Sequence, residues 1–231
     1  MFFPFYDSTY ILVLIGVIVS MMASAKLNAT YQRYSAVRSM CGLTGAEAAK
    51  RLLNSQGIYD VTIRRVPGSL TDHYDPRSKT VNLSDAVYGS TSIAAIGVAA
   101  HECGHAMQDA ADYSPLRIRA ALVPAANLGS QLAWPLILVG LLLGSSGSGL
   151  AFAGIVLFSL AVLFQLVTLP VEYNASHRAV TLLDSTGILA GQEVGQTRSV
   201  LNAAALTYVA AAAASILQLL RLLMLFNRRR D

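Results

Sequence analysis

The sequence predicts a mainly α-helical, polytopic membrane protein with three to four transmembrane helices and a small β-hairpin or sheet. Three observations lead there. The 231 residues are 54% hydrophobic and only 13% charged, where a soluble domain is about 25% charged. Uncharged apolar runs recur along the chain at or near the length needed to cross a bilayer. Between them lie two polar regions patterned like a small soluble domain. This composition excludes disorder and a collagen-like fibre. The formal charge of +4 is mild. The basic residues form no stripe interleaved with aromatics, so the lipid bilayer is an expected partner and nucleic acid is not. The two cysteines, Cys41 and Cys103, suggest no disulfide framework, which fits a reducing compartment.

In chain order, residues 1–25 read as an N-terminal membrane anchor. Ala23-Ser24-Ala25 mimics a signal-peptidase site, but residues 1–9 offer Asp7 and no basic segment, so the anchor reads as uncleaved. Residues 26–119 form the first polar region. Residues 120–169 form an apolar hairpin around the Ser/Gly turn at 145–149. Pro124 and Pro135 are tolerable inside its first arm, and its second arm reads as ending at Pro170. Residues 170–202 form a second polar region on the same membrane side as the first. Residues 203–231 carry an Ala-rich fourth run and a basic tail. Residues 217–230 read equally as a basic amphipathic helix lying flat at the interface. Lys26, Arg33, Arg38, Arg117 and Arg119 flank the polar regions, whereas the N-terminal end and the Ser/Gly turn carry no Lys or Arg. The positive-inside rule therefore places the polar regions in the cytoplasm, with the C-terminal arginines dissenting.

The first polar region is expected to hold three short elements and one functional helix. Thr44-Gly45-Ala46-Glu47 has the form of a capping box, and Ala48, Ala49, Leu52 and Leu53 follow at helical spacing up to a stop at Gly57. Residues 61–66 alternate weakly as a strand, ended by Pro67-Gly68. Residues 73–83 read as a hairpin turning near 75–78. Ser92 then caps a helix running to about Asp112.

That last helix carries His101-Glu102-Cys103-Gly104-His105, an H-E-x-x-H sequence. Two imidazoles one turn apart share a helix face and can reach a single Zn²⁺. Glu102 beside the metal can take a proton from water. The residues before it, 93–100, are small and apolar, so a charged triplet there is costly without partners or a metal. A catalytic zinc takes three protein ligands and one water. The third ligand must come from elsewhere, and Glu172, His177, Asp184, Glu193, Asp109 and Asp112 are the candidates. Glu172 falls in the first turn of a helix expected to start near Pro170, where an acid is also favoured simply by the helix dipole. Ala175, one turn on, permits a close approach to the motif helix.

Residues 97–110 around the motif, Leu70-Thr71-Asp72-His73-Tyr74-Asp75-Pro76-Arg77, and Leu169-Pro170-Val171-Glu172-Tyr173-Asn174-Ala175-Ser176 together resemble the YugP-like neutral zinc metallopeptidases of bacterial membranes. The resemblance covers nearly the whole chain. It implies a plan similar to membrane zinc endopeptidases in which a Glu after the membrane hairpin completes the site, and so makes Glu172 the third ligand. One departure stands out. In those endopeptidases an Asp that holds a ligand histidine usually follows the Glu-x-x-Ala pair, and here that position is Ser176.

Around this set, Asp109, one turn beyond His105, is the candidate to hold a ligand ring. His73 or Tyr74, in the hairpin, could face a substrate paired along the strand edge. His177 and Arg178 are candidates to stabilise an oxyanion. Cys103 reads as a buried small residue. The expected activity is peptide-bond hydrolysis by one catalytic Zn²⁺ held by His101, His105 and Glu172, with Glu102 as general base and a peptide or protein as substrate. The rival from another class is a non-catalytic, zinc-stabilised membrane scaffold, whose metal would be closed by a fourth protein ligand. A transporter is disfavoured, because the runs show no paired broken helices and few intramembrane charges.

Overall fold

The computed structural model describes residues 7–228; residues 1–6 of the expected anchor and 229–231 of the basic tail lie outside them. In chain order the elements are α1 (Tyr10–Ser35), α2 (Gly45–Ser55), β1 (Thr62–Val66), β2 (His73–Asp75), β3 (Thr80–Ser84), α3 (Asp85–Tyr88), α4 (Ile93–Ala110), α5 (Ser114–Leu142), α6 (Ser148–Ser185) and α7 (Gln192–Asn227). A 3₁₀ turn at Gly144–Gly147 joins α5 to α6. Four helices, α1, α5, α6 and α7, are long and apolar enough to cross a membrane. The protein is therefore mainly α-helical and polytopic, with a small sheet.

The chain divides into two compact units. One comprises residues 1–24, 117–169 and 207–231. Its helices meet through small residues, as membrane helices do where backbone must approach backbone. A Cβ at Gly154 of α6 would lie 2.7 Å from the Ala133 carbonyl oxygen of α5. Gly16 of α1 would bring a Cβ to 3.1 Å from Ala214 of α7. At one end of this unit Arg228 Nη1 pairs with Asp7 Oδ1 at 3.2 Å, and Arg221 stacks over the Tyr10 ring. α7 is one unbroken helix to Asn227, so residues 217–227 continue the Ala-rich run without a break.

The other unit comprises residues 25–116 and 170–206. The start and stop signals of α2 both operate. Thr44 and Glu47 close the capping box reciprocally. Beyond the helix Gly57, at φ +71°, lets Gly57 N and Ile58 N bond back to Asn54 O and Leu53 O. The sheet has the order β1-β3-β2. β2 and β3 form the expected hairpin, antiparallel with Tyr74 opposite Val81. β1 joins β3 in parallel, Thr62 opposite Thr80 and Val66 opposite Ser84. β3 is central and mostly buried, which leaves β2 as an edge. Ser92 caps α4 by accepting from Ala95 N. α4 is the core of this unit: Leu52, Leu53, Val81, Leu83 and Leu183 are all fully buried around it.

One expected boundary is wrong. No helix begins at Pro170; α6 runs through it from Ser148 to Ser185. Proline forfeits one backbone hydrogen bond and crowds the preceding turn, and a 38-residue helix carries that loss. Glu172 is thus mid-helix and receives no N-terminal dipole.

Candidate metal centre

α4 and α6 cross where neither has bulk. A Cβ on Gly104 would sit 2.5 Å from the Ala175 carbonyl oxygen, and Ala175 is fully buried. This contact brings the H-E-x-x-H turn against the turn of Glu172. His101 Nε2 lies 3.2 Å and His105 Nε2 3.7 Å from Glu172 Oε2. The donor atoms of all three residues fall within 4.8 Å of one another, and among the described residues no other His, Cys, Asp or Glu joins the group. A tetrahedral ion with ligands near 2.1 Å holds its donors about 3.4 Å apart, so these residues fit a zinc-sized cation. The imidazoles stand edge to face, their rings 4.8 Å apart and inclined at 83°.

The outer ring nitrogens are held by side chains that fix the rings. His101 Nδ1 meets Ser176 Oγ at 3.0 Å. The departure at position 176 is therefore filled by its own hydroxyl. His105 Nδ1 meets Gln108 Oε1 at 3.0 Å, and Gln108 is completely buried. Donor and acceptor identities along this chain follow from its ends. Gln108 Nε2 donates to the Val171 carbonyl at 2.8 Å and to Asn174 Oδ1 at 3.0 Å. Arg178 Nε, which can only donate, reaches the same Asn174 oxygen at 2.8 Å. The Gln108 carbonyl must then face His105 and Nδ1 must carry a hydrogen, which leaves Nε2, turned toward Glu172, to take a proton or a metal ion. This is the outer-shell arrangement that raises ligand basicity and fixes the tautomer of a metal-binding histidine.

Electrostatics follow from the same geometry. Burial favours a neutral His105, but the hydrogen bond to Glu172 and the charge of Glu102 outweigh it and raise its proton affinity. Burial likewise opposes the Glu172 anion, yet hydrogen bonds and charge from both imidazoles hold its carboxyl far below the usual carboxylate range. Glu172 is only 2% exposed and Glu102 8%. Cys103 is buried, with its thiol against the Ala49 carbonyl. Burial pushes that thiol up, so it is an inert packing group.

Several candidates stand elsewhere. Asp109 is not the group on His105 Nδ1; that place belongs to Gln108. Asp109 Oδ2 instead accepts from Tyr74 Oη at 2.9 Å and from Lys79 Nζ at 2.7 Å, tying the edge strand to α4. Burial and the Asp109 carboxylate push the Tyr74 phenol up. His73 points to the opposite face of β2, where it meets Thr71 and Asn82. His177 is exposed, as are Asp184 and Asp112. Arg178 serves the Gln108 relay through Asn174, and Glu193 accepts from Met40 N. Gln108, Asn174 and Ser176 as ring-holding residues were not expected. The signal for Gln108 was a lone amide among small apolar residues of the motif helix.

A family model described as "Putative neutral zinc metallopeptidase" matches residues 9–227. The chain is 48% identical over 213 residues to "Putative membrane protease YugP" of Bacillus subtilis (strain 168), covering 92% of this chain and 94% of that protein. No solved structure matches. The match spans the membrane-length helices and the candidate metal centre alike, and the chain belongs to this neutral zinc metallopeptidase family of integral membrane proteins.

Proposed function

We propose that the protein is a zinc endopeptidase of the bacterial cell membrane, with one catalytic ion and its site on the cytoplasmic face. The observation that carries this reading is the convergence of two imidazole Nε2 atoms and one carboxylate oxygen, with no fourth such donor among the described residues. Three protein ligands with one position left for water is the catalytic pattern, whereas structural zinc sites are closed by four. That difference favours the endopeptidase over the zinc-stabilised scaffold.

A zinc ion held by His101, His105 and Glu172 supplies Lewis acidity to a peptide carbonyl and lowers the pKa of water to about 7. Glu102 takes the proton of the attacking water on its carboxylate and returns it to the leaving amine. Ser176 and the Gln108 relay keep both rings turned inward while this happens. β2 presents a free edge on which an extended peptide can add as a further strand. Tyr74 and Lys79 anchor that edge to α4 through Asp109.

Two substitutions test the assignment. Glu102→Gln should keep stoichiometric zinc and lose hydrolysis of an unfolded protein substrate by at least about a hundredfold, the lower end of general acid–base contributions. His101→Ala should lose the metal itself. Hydrolysis that survives Glu102→Gln contradicts the role given to Glu102. Zinc that survives His101→Ala contradicts the ligand set.

A further inference from the structure

Within the unit that holds the metal centre, a cleft of about 530 Å³ is lined from three helices. α1 contributes Lys26 and Thr30, α6 contributes Tyr173, and α7 contributes Ser199, Asn202 and Leu206. Each helix changes character at this level. Residues 10–25 of α1 are uncharged and Lys26 is the first cation. Residues 148–171 of α6 are uncharged up to Glu172, beside Tyr173. Residues 199–220 of α7 are uncharged, directly after Arg198. Such a change marks the boundary between hydrocarbon and headgroups.

The chemistry of the lining is selective. No acid lines the cleft, and among the described residues no carboxylate pairs with Lys26. Lys26 and the Asn202 amide supply hydrogen-bond donors, and the Tyr173 phenol adds another. The hydroxyls of Thr30 and Ser199 donate to Lys26 O and Gly195 O. They therefore face the cleft as acceptors. One cation with several donors suits a phosphodiester, and spare acceptors suit a headgroup bearing hydroxyls. Leu206 extends the floor toward the uncharged run of α7, where an acyl chain would begin.

We propose that this cleft binds one anionic phospholipid with a hydroxylated headgroup. The test uses the full chain, zinc-loaded and in detergent, titrated with phosphatidylglycerol or phosphatidylcholine while bound lipid is counted by native mass spectrometry. One phosphatidylglycerol is retained at least about fivefold more tightly than phosphatidylcholine, the factor expected of one basic residue near a membrane surface. Lys26→Gln removes that preference and Asn202→Leu weakens retention. Lys50→Gln, on the exposed face of α2, changes neither. The first two variants keep wild-type zinc content and melting temperature. Equal retention of both lipids, or a preference unchanged by Lys26→Gln, overturns the proposal. Soluble glycerol phosphate binding as tightly as the lipid overturns it in favour of a free phosphate ester. Displacement of the lipid by a peptide with a free C-terminal carboxylate overturns it in favour of a substrate subsite.

Discussion

The tautomer of His105 is set from its Nδ1 side, by an amide three residues further along the same helix. Gln108 has no room to turn, because its nitrogen is taken by the Val171 carbonyl and by Asn174. Gln108→Leu should leave helix content unchanged and weaken zinc about ten- to a hundredfold in a competitive chelator titration, the usual cost of losing such a partner. Gln108→Glu can still accept from Nδ1 but sets an acceptor against the Val171 carbonyl and Asn174 Oδ1, so it should recover only part of the affinity. Unchanged affinity in Gln108→Leu would show that the relay does not orient the ring. The meeting of the two histidines was legible in the sequence because i, i+4 spacing on a helix is local geometry. Gln108 was not, since its partners come from α6, which no spacing within α4 reveals. Asp109 was the more conspicuous neighbour, being charged, but it lies one residue further round and belongs to Tyr74 and Lys79.

At the scale of elements, the site depends on how closely α4 and α6 approach. Helix propensity alone favours Gly104→Ala by about 1 kcal/mol. Here the added carbon would lie 2.5 Å from a buried carbonyl oxygen, and overpacking of this kind costs about 1–3 kcal/mol. Gly104→Ala should therefore lower the melting temperature and weaken zinc together. Gly195→Ala near the start of α7, with nothing within 4 Å, should leave stability unchanged or raise it. A thermal unfolding series reads both; a Gly104→Ala protein as stable and as tightly metallated as wild type contradicts the close crossing. Gly104 and Ala175 were readable as small residues. The continuity of α6 was not, because a proline after an apolar run looks the same whether a helix stops or simply loses one bond. The capping box, the stop at Gly57 and the β2–β3 hairpin were legible for the opposite reason: each closes within a few residues. The parallel pairing of β1 with β3 closes over a longer loop and left no local mark.

For the whole molecule, three apolar runs were evident from hydropathy and the fourth was a candidate, and four crossings would return α7 to the side on which α1 began. The Asp7–Arg228 pair agrees with that count. Sidedness is a separate matter, on which the basic residues divide. With the polar regions cytoplasmic, a membrane-impermeant maleimide applied to intact cells should label Ser8→Cys and Ser146→Cys but not Asn54→Cys, each in a Cys41→Ser background. Labelling of Asn54→Cys from outside would invert the topology and leave the site chemistry untouched.

The proposed hydrolase site is tested most directly by the coordination of its metal. X-ray absorption at the zinc edge of the purified full chain should report two imidazole nitrogens, one carboxylate and one light-atom ligand from solvent, with the metal lost in Glu172→Ala. A fourth protein ligand, or a zinc signal unchanged in Glu172→Ala, would contradict it.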